Sequence, residues 1–258
     1  MASQAPQNAN LPLLYNDLMP LSSVEHAKWR IAEMSDVGFL ATQHAIPVTV
    51  DEFAMVQRHF PIVFSAGDNP VPLALMGLNE GVNTFVGEDG KVNEPIYLPA
   101  YLRRYPFLLA KLRPDSEDLS LCFDPTSKAI GAFETGEELF IEGVERTPAL
   151  TRIMGFCEEF EQSGMKTGQF MAELLEHNLL MEGEVSIQVD GQEQPFIYRG
   201  FQMVDETKLR DLRGDVLRKM MQSGMLPLIH AHLFSLPLMR DIFGRQMAQG
   251  RTPGVAAA

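Results

Sequence analysis

Short apolar runs separated by turn residues occupy the chain up to about residue 146, after which apolar side chains recur at three- and four-residue spacing. The first pattern predicts strands with a few short helices, the second amphipathic helices. Thr49 followed by Glu52 has capping-box spacing ahead of Phe53, Val56 and Phe60, which predicts a helix over 50–58 ended by Pro61. Residues 62–65 then read as a buried strand, Gly67-Asp68-Asn69-Pro70 as a turn, and 73–78 as the returning strand. Turns at 79–81 and 87–90 enclose a short strand at 83–86, so the simplest account of 61–98 is an antiparallel meander. Pro99 suits the first turn of a short helix through Arg104, Pro106 closes it, and 107–112 and 119–123 follow as apolar strands.

The second half opens with Thr147 as a cap and Pro148 at the first helical position, ahead of Leu150, Ile153, Met154, Cys157 and Phe160 on one face. A separate helix over 168–178 uses Phe170, Met171, Leu174 and Leu175. Val185, Ile187 and Val189 alternate before Asp190-Gly191, a hairpin signal whose returning strand is 196–203. Helices resume near Asp205, with Leu209, Leu212, Val216 and Met220 on one face and Gly224 as a stop. Met239, Phe243 and Met247 at four-residue spacing are core filler or a stripe for a partner. The expected fold is α+β: a mainly antiparallel sheet from the N-terminal half, joined by the later hairpin and covered by helices of the C-terminal half. One domain over 12–247 is expected, with a subdivision near 145 as the alternative, and with 1–11 and 248–258 as flexible termini.

Charge and cysteine usage narrow the functional classes. Of the 258 residues 34 are acidic and 21 basic, a formal net charge of -13. That balance argues against a dedicated nucleic-acid binder, which needs surplus Lys and Arg on one face. From Arg199 onward the count is nine basic and five acidic, against twelve and twenty-nine before it, so the tail is mildly basic on an acidic body. Two widely spaced cysteines in apolar stretches, Cys122 and Cys157, fit a reducing compartment. The opening residues lack a basic n-region and a continuous apolar core, and no window reaches the roughly 18 apolar residues of a membrane helix. The expectation is a cytoplasmic protein that is not integral to a membrane.

Motif chemistry is sparse. Gly224-x5-His230-Ala231-His232 reproduces the opening of a metal-binding cupin pattern, but Leu236 and Pro237 stand where that pattern needs a Glu. Residues 226–234 also look helical, and two positions apart on a helix point about 200° apart, which keeps the two histidines from sharing an ion. His26, His44, His59 and His177 lack an acid two places on, and no C-x-x-C, G-x-S-x-G, Walker or Rossmann spacing occurs. No metal is expected, and no cofactor can be named. The Glu137, Glu138 and Glu142 run reads as a solvated face.

One segment departs from this plainness. Residues 97–107, YLPAYLRRYPF, gather Tyr97, Tyr101 and Tyr105 around Arg103 and Arg104. Arginine offers a planar fork for carboxylate or phosphate and stacks on rings, and tyrosine adds apolar area with a hydroxyl. The alternative is that the arginines pair with neighbouring acids and the tyrosines rim the core. Together with HFPIVFS (59–65), PVPLALMGL (70–78), LCFD (121–124), GEELF (136–140), GFQMVDETKL (200–209) and HLFSL (232–236), this segment resembles the SapC family of bacterial surface-layer-associated proteins over about 12–245. The resemblance implies an accessory role of unassigned biochemical activity, with genes near halogenase-like and outer-membrane receptor-like genes, and carries over no catalytic residue. Two readings stand. In the first, an accessory protein engages a protein partner or an acidic small molecule through Tyr97, Tyr101, Arg103, Arg104 and Tyr105, with self-association left open. In the second, a small-molecule enzyme grips an anionic substrate with Arg103 or Arg104 while His59, His230 or His232 moves protons.

Overall fold

The computed structural model describes residues 11–32, 37–113, 115, 118–141, 145–189, 191 and 193–252. The expected flexible ends thus fall mostly outside the described residues, as do Glu142, the start of the boundary region at Val144, and Asp190 of the hairpin turn. The chain is α+β, and every named strand pair is antiparallel. It divides into two compact units, each assembled from two stretches. The first holds residues up to Asp36 with Tyr101–Gln162, and the second holds Val37–Ala100 with Ser163 onward.

The second unit is organised by a five-stranded sheet in the order Leu180–Ile187, Phe196–Val204, Ile62–Ser65, Pro72–Leu75, Ala45–Pro47. The late hairpin therefore does join strands from the first half of the chain, through Phe201 opposite Ser65 and Gln202 opposite Phe64. Ile62, Val63 and Phe64 in the middle strand are wholly buried, which explains why that segment reads as a continuous apolar run rather than an alternating one. The Phe64 ring meets both Phe170 and the ring of His232. Ser235, on the helix Met225–Ser235, accepts the Ile62 N–H at 2.8 Å.

The expected meander changes here. Residues 83–86 are not a strand: only Val86 bridges, to Val92. The Asn83 side chain takes over the backbone's role, donating to Leu40 O at 3.0 Å and accepting Phe85 N–H at 2.9 Å, a local alternative that Asn offers to a ladder. The outer partner of Pro72–Leu75 is instead Ala45–Pro47, too short to show a period. The helices expected from Asp205 are Glu206–Arg210 and Gly214–Ser223, the first capped by Asp205 and the second stopped by Gly224 in the left-handed region. Met239 and Phe243 are core, the latter against Phe196 and Tyr198, while Met247 is exposed. Beyond the last helix, Leu238–Ala248, Gln249 donates to Thr84 O and Arg251 to Asn83 O.

The first unit holds a three-stranded sheet, Met19–Pro20, Leu119–Phe123 and Phe107–Lys111, and a small one with Arg30–Ile31 between Ile130–Gly131 and Glu137–Glu138. A core of Phe107, Phe123, Leu139, Phe140 and Leu150 is rimmed by Trp29 and Ile153. Pro148–Glu176 is one helix of 29 residues, supplying residues up to Gln162 to the first unit and the rest to the second. The separate helix expected over 168–178 is thus the end of this one, and Gly164 and Gly168 fit inside it with open space where a side chain would be. Glycine at such a place costs about 1 kcal/mol relative to alanine, which burial of Phe170, Met171 and Leu174 outweighs.

Two glycines give opposite expectations. A Cβ at Gly183, where the ladder shifts register, would sit 2.1 Å from the Phe201 ring, so Gly183→Ala is expected to lower stability by about 1–3 kcal/mol. Gly164→Ala meets nothing and is expected to raise stability by up to about 1 kcal/mol. Urea unfolding of the two variants beside the parent checks both signs.

Candidate functional site

The short helix Ala100–Arg104 places its two arginines differently, because neighbours on a helix diverge by about 100°. Arg104 turns inward and keeps 9% of its exposure, its guanidinium 4.1 Å from the Phe160 ring centroid and 4.8 Å from that of Tyr101. Its Nη1 pairs with Glu161 at 3.4 Å, and its buried Nε has no hydrogen-bond partner. Arg103 turns outward and lies 5.0 Å from the Phe156 ring centroid. A third guanidinium comes from the long helix: Arg152, one turn before Phe156, pairs with Glu137 at 2.6 Å.

These three arginines line one depression of about 270 Å³ within the first unit. The remaining walls are Phe107, Ile153, Phe156 and Cys157, so the lining between the guanidiniums is mostly apolar. Burial pushes the Cys157 thiol up to about 11, with Arg104 pulling the other way, so the sulfur is a neutral wall at neutral pH. Such a surface binds anions well: the arginines supply charge and forked donors, and the rings exclude water and lower the local dielectric.

The tyrosines divide. Tyr101 lies beneath Arg104 and donates from its hydroxyl to Leu13 O at 2.7 Å; burial raises its pKa, with Arg104 opposing. Tyr105 packs edge-on against Tyr15, and its hydroxyl lies 3.4 Å from Asp124 Oδ2. Tyr97 belongs to the second unit, where it donates to Glu52 Oε2 at 3.0 Å beside the Ala100 N–H at 2.7 Å. The other oxygen of Glu52 accepts the Thr49 N–H at 2.9 Å, which closes the capping box expected from the sequence. Of the five residues singled out, Arg103 and Arg104 line the depression, Tyr101 supports Arg104, and Tyr105 and Tyr97 serve their own units.

A family model for SapC matches residues 21–242. The chain belongs to the SapC family. Neither the search of curated proteins nor the search of solved structures found a match. The match in this SapC chain includes Arg103, Arg104, Arg152 and Phe156. No helix among the described residues is long and apolar enough to cross a membrane.

His59, His230 and His232 of the SapC chain lie in its second unit. His232 is wholly buried: Nε2 accepts the Val204 N–H at 3.1 Å, which leaves the proton on Nδ1 to be donated to Ile62 O at 2.7 Å. Both ring nitrogens are thus committed to backbone groups, tying the helix to two strands. His230, two residues earlier, is exposed and faces its own helix carbonyl at Leu226, 2.8 Å from Nδ1, so the helical geometry does separate the pair. His59 is half-buried at the end of a short helix, its ring 6.1 Å from that of Phe60. Among the described residues no group of three or more His, Cys, Asp or Glu is placed to hold a metal ion.

Arg152 and Phe156 escaped the sequence reading because the helix was judged by its core face, Leu150, Ile153, Cys157 and Phe160. The available signal was Arg152-Phe156-Phe160 at four-residue spacing, a cationic and aromatic stripe beside that face.

Burial holds the His232 pKa down at about 4, against an ordinary 6.5. The folded chain keeps the neutral ring while the unfolded chain takes a proton below about 6.5, so this contribution is complete above that pH and is lost as the pH falls towards 4. The expected loss is about 3 kcal/mol across that window. Urea midpoints of the parent and of His232→Gln at about pH 7 and about pH 4.5 check it. The variant starts less stable but loses less on acidification, and equal losses would remove His232 as the cause.

Proposed function

We propose that this SapC-family chain is an accessory binding protein whose depression at Arg103, Arg104 and Arg152 holds an anionic small ligand. The observation that carries the reading is the convergence of three guanidiniums from two helices on one concave, mostly apolar surface. Binding rather than turnover fits the lining, where burial holds the Cys157 thiol neutral. The two buried free thiols accord with a reducing, cytoplasmic setting, as part of the same reading.

Native mass spectrometry of the protein purified gently from its own cells tests the proposal. The expected result is a retained anionic small molecule whose occupancy drops by about tenfold in the double variant Arg103→Gln, Arg152→Gln, both exposed positions that leave the core intact. A co-purified polypeptide in place of a small molecule would favour a protein partner, and a second copy of the chain would favour self-association. A retained molecule held equally by the double variant would remove the depression as its site.

A further inference from the structure

A second depression of the first unit, about 540 Å³, falls inside the usual range of roughly 300–1,000 Å³ for small-ligand sites. Its charged walls are Lys28, Arg30, Glu134 and Glu138, and Phe133 and Phe140 are apolar ones. It is separate from the arginine depression: successive side chains of a strand alternate, so Glu137 reaches Arg152 there while Glu138 reaches Arg30 here.

Two of the four charges are spent on each other. Arg30 donates to Glu138 and to Gly136 O, which holds both side chains against the small sheet. Lys28 and Glu134 are exposed, and among the described residues neither side chain makes an ion pair or hydrogen bond, with the other or with any third group. Two cations and two carboxylates cancel, and that balance selects the ligand. A simple anion would meet two glutamates, and a simple cation would meet Lys28 and Arg30, each a repulsion at close range. A molecule with one charge of each sign answers both unpaired groups. Phe133 rewards an apolar body, its ring seated over Gly131 so closely that a Cβ there would come within 3.0 Å.

We infer that this depression is a site for a zwitterion with an apolar side chain, a free amino acid or a dipeptide. Its carboxylate pairs with Lys28, its ammonium with Glu134, and its side chain lies against Phe133. The site is independent of the anion reading above.

Titration calorimetry of the full chain with leucine and the dipeptide Leu-Leu tests it. At least one is expected to bind, and the tighter of the two gives the size class. Acetylating or amidating that ligand should weaken it by about tenfold, the loss of one charge-assisted contact. Glycine in place of leucine should weaken it by a similar factor of about ten. Lys28→Gln should weaken the uncapped ligand but not the amidated one, and Glu134→Gln the uncapped ligand but not the acetylated one. That matching of each residue to one end is a result that general loss of structure would not give. The double variant Arg103→Gln, Arg152→Gln should bind as the parent does, and loss of binding there would move the molecule to the arginine depression and overturn this site. Acetylated ligand bound as tightly as the free one, binding unchanged in Lys28→Gln with Glu134→Gln, or no binding at all would also overturn it, while leaving the test of the arginine depression untouched.

Discussion

A guanidinium cannot leave water without compensation, and the way Arg104 is compensated sets the rest of the first unit's surface. Desolvating such a charge costs several kcal/mol unless other groups replace the water. Here the replacement is two aromatic faces, Tyr101 and Phe160, and one carboxylate, Glu161. Those partners fix the rotation of the short helix about its axis, and that rotation throws Arg103 outward over Phe156. Arg152 reaches the same place from the long helix, because Phe156, Phe160 and Glu161 come from the same stretch of chain. The depression is a by-product of burying one cation well.

In the second unit the corresponding problem is solved by neutral polar groups. His232 spans two strands from one helix with a single tautomer, and Ser235, one turn on, accepts from Ile62. Glu52 gathers the Thr49 and Ala100 N–H groups with the Tyr97 hydroxyl. Gln246, with no exposed surface, accepts from Leu78 N–H and donates to Asn79 and to Arg251 O. Each of these side chains satisfies backbone or polar groups distant in sequence, a use of buried polarity that specifies one arrangement rather than adding much net stability.

Local rules carried much of this into the sequence. The capping box at Thr49, the strands at 62–65, 107–112 and 119–123, the Pro148 start and the Gly224 stop each follow from side chains within a few residues, and these elements formed within a residue of where expected. What escaped depends on distant partners. Ala45–Pro47 is a strand only because Pro72–Leu75 lies beside it, and Gly164 stays helical because the residues flanking it pack. The site was legible by the same measure: Arg103 and Arg104 stood out as neighbours in an unusual string, whereas Arg152 gains meaning only when folding brings it beside them. Tyr97 stood in that string too, yet its hydroxyl is spent on Glu52, since proximity in sequence says nothing of which unit a side chain serves.

The outer strands of the five-stranded sheet bear on how this acidic chain behaves when crowded. Leu180–Ile187 leaves eight residues of backbone along an edge, a template on which another chain can zip. Three features blunt it: the exposed carboxylates of Glu182 and Glu184, and the register shift at Gly183 that kinks the ladder. The opposite edge is three residues long and ends in Pro47, which has no N–H to give. Both borders of the sheet are therefore poor seeds for strand-to-strand aggregation.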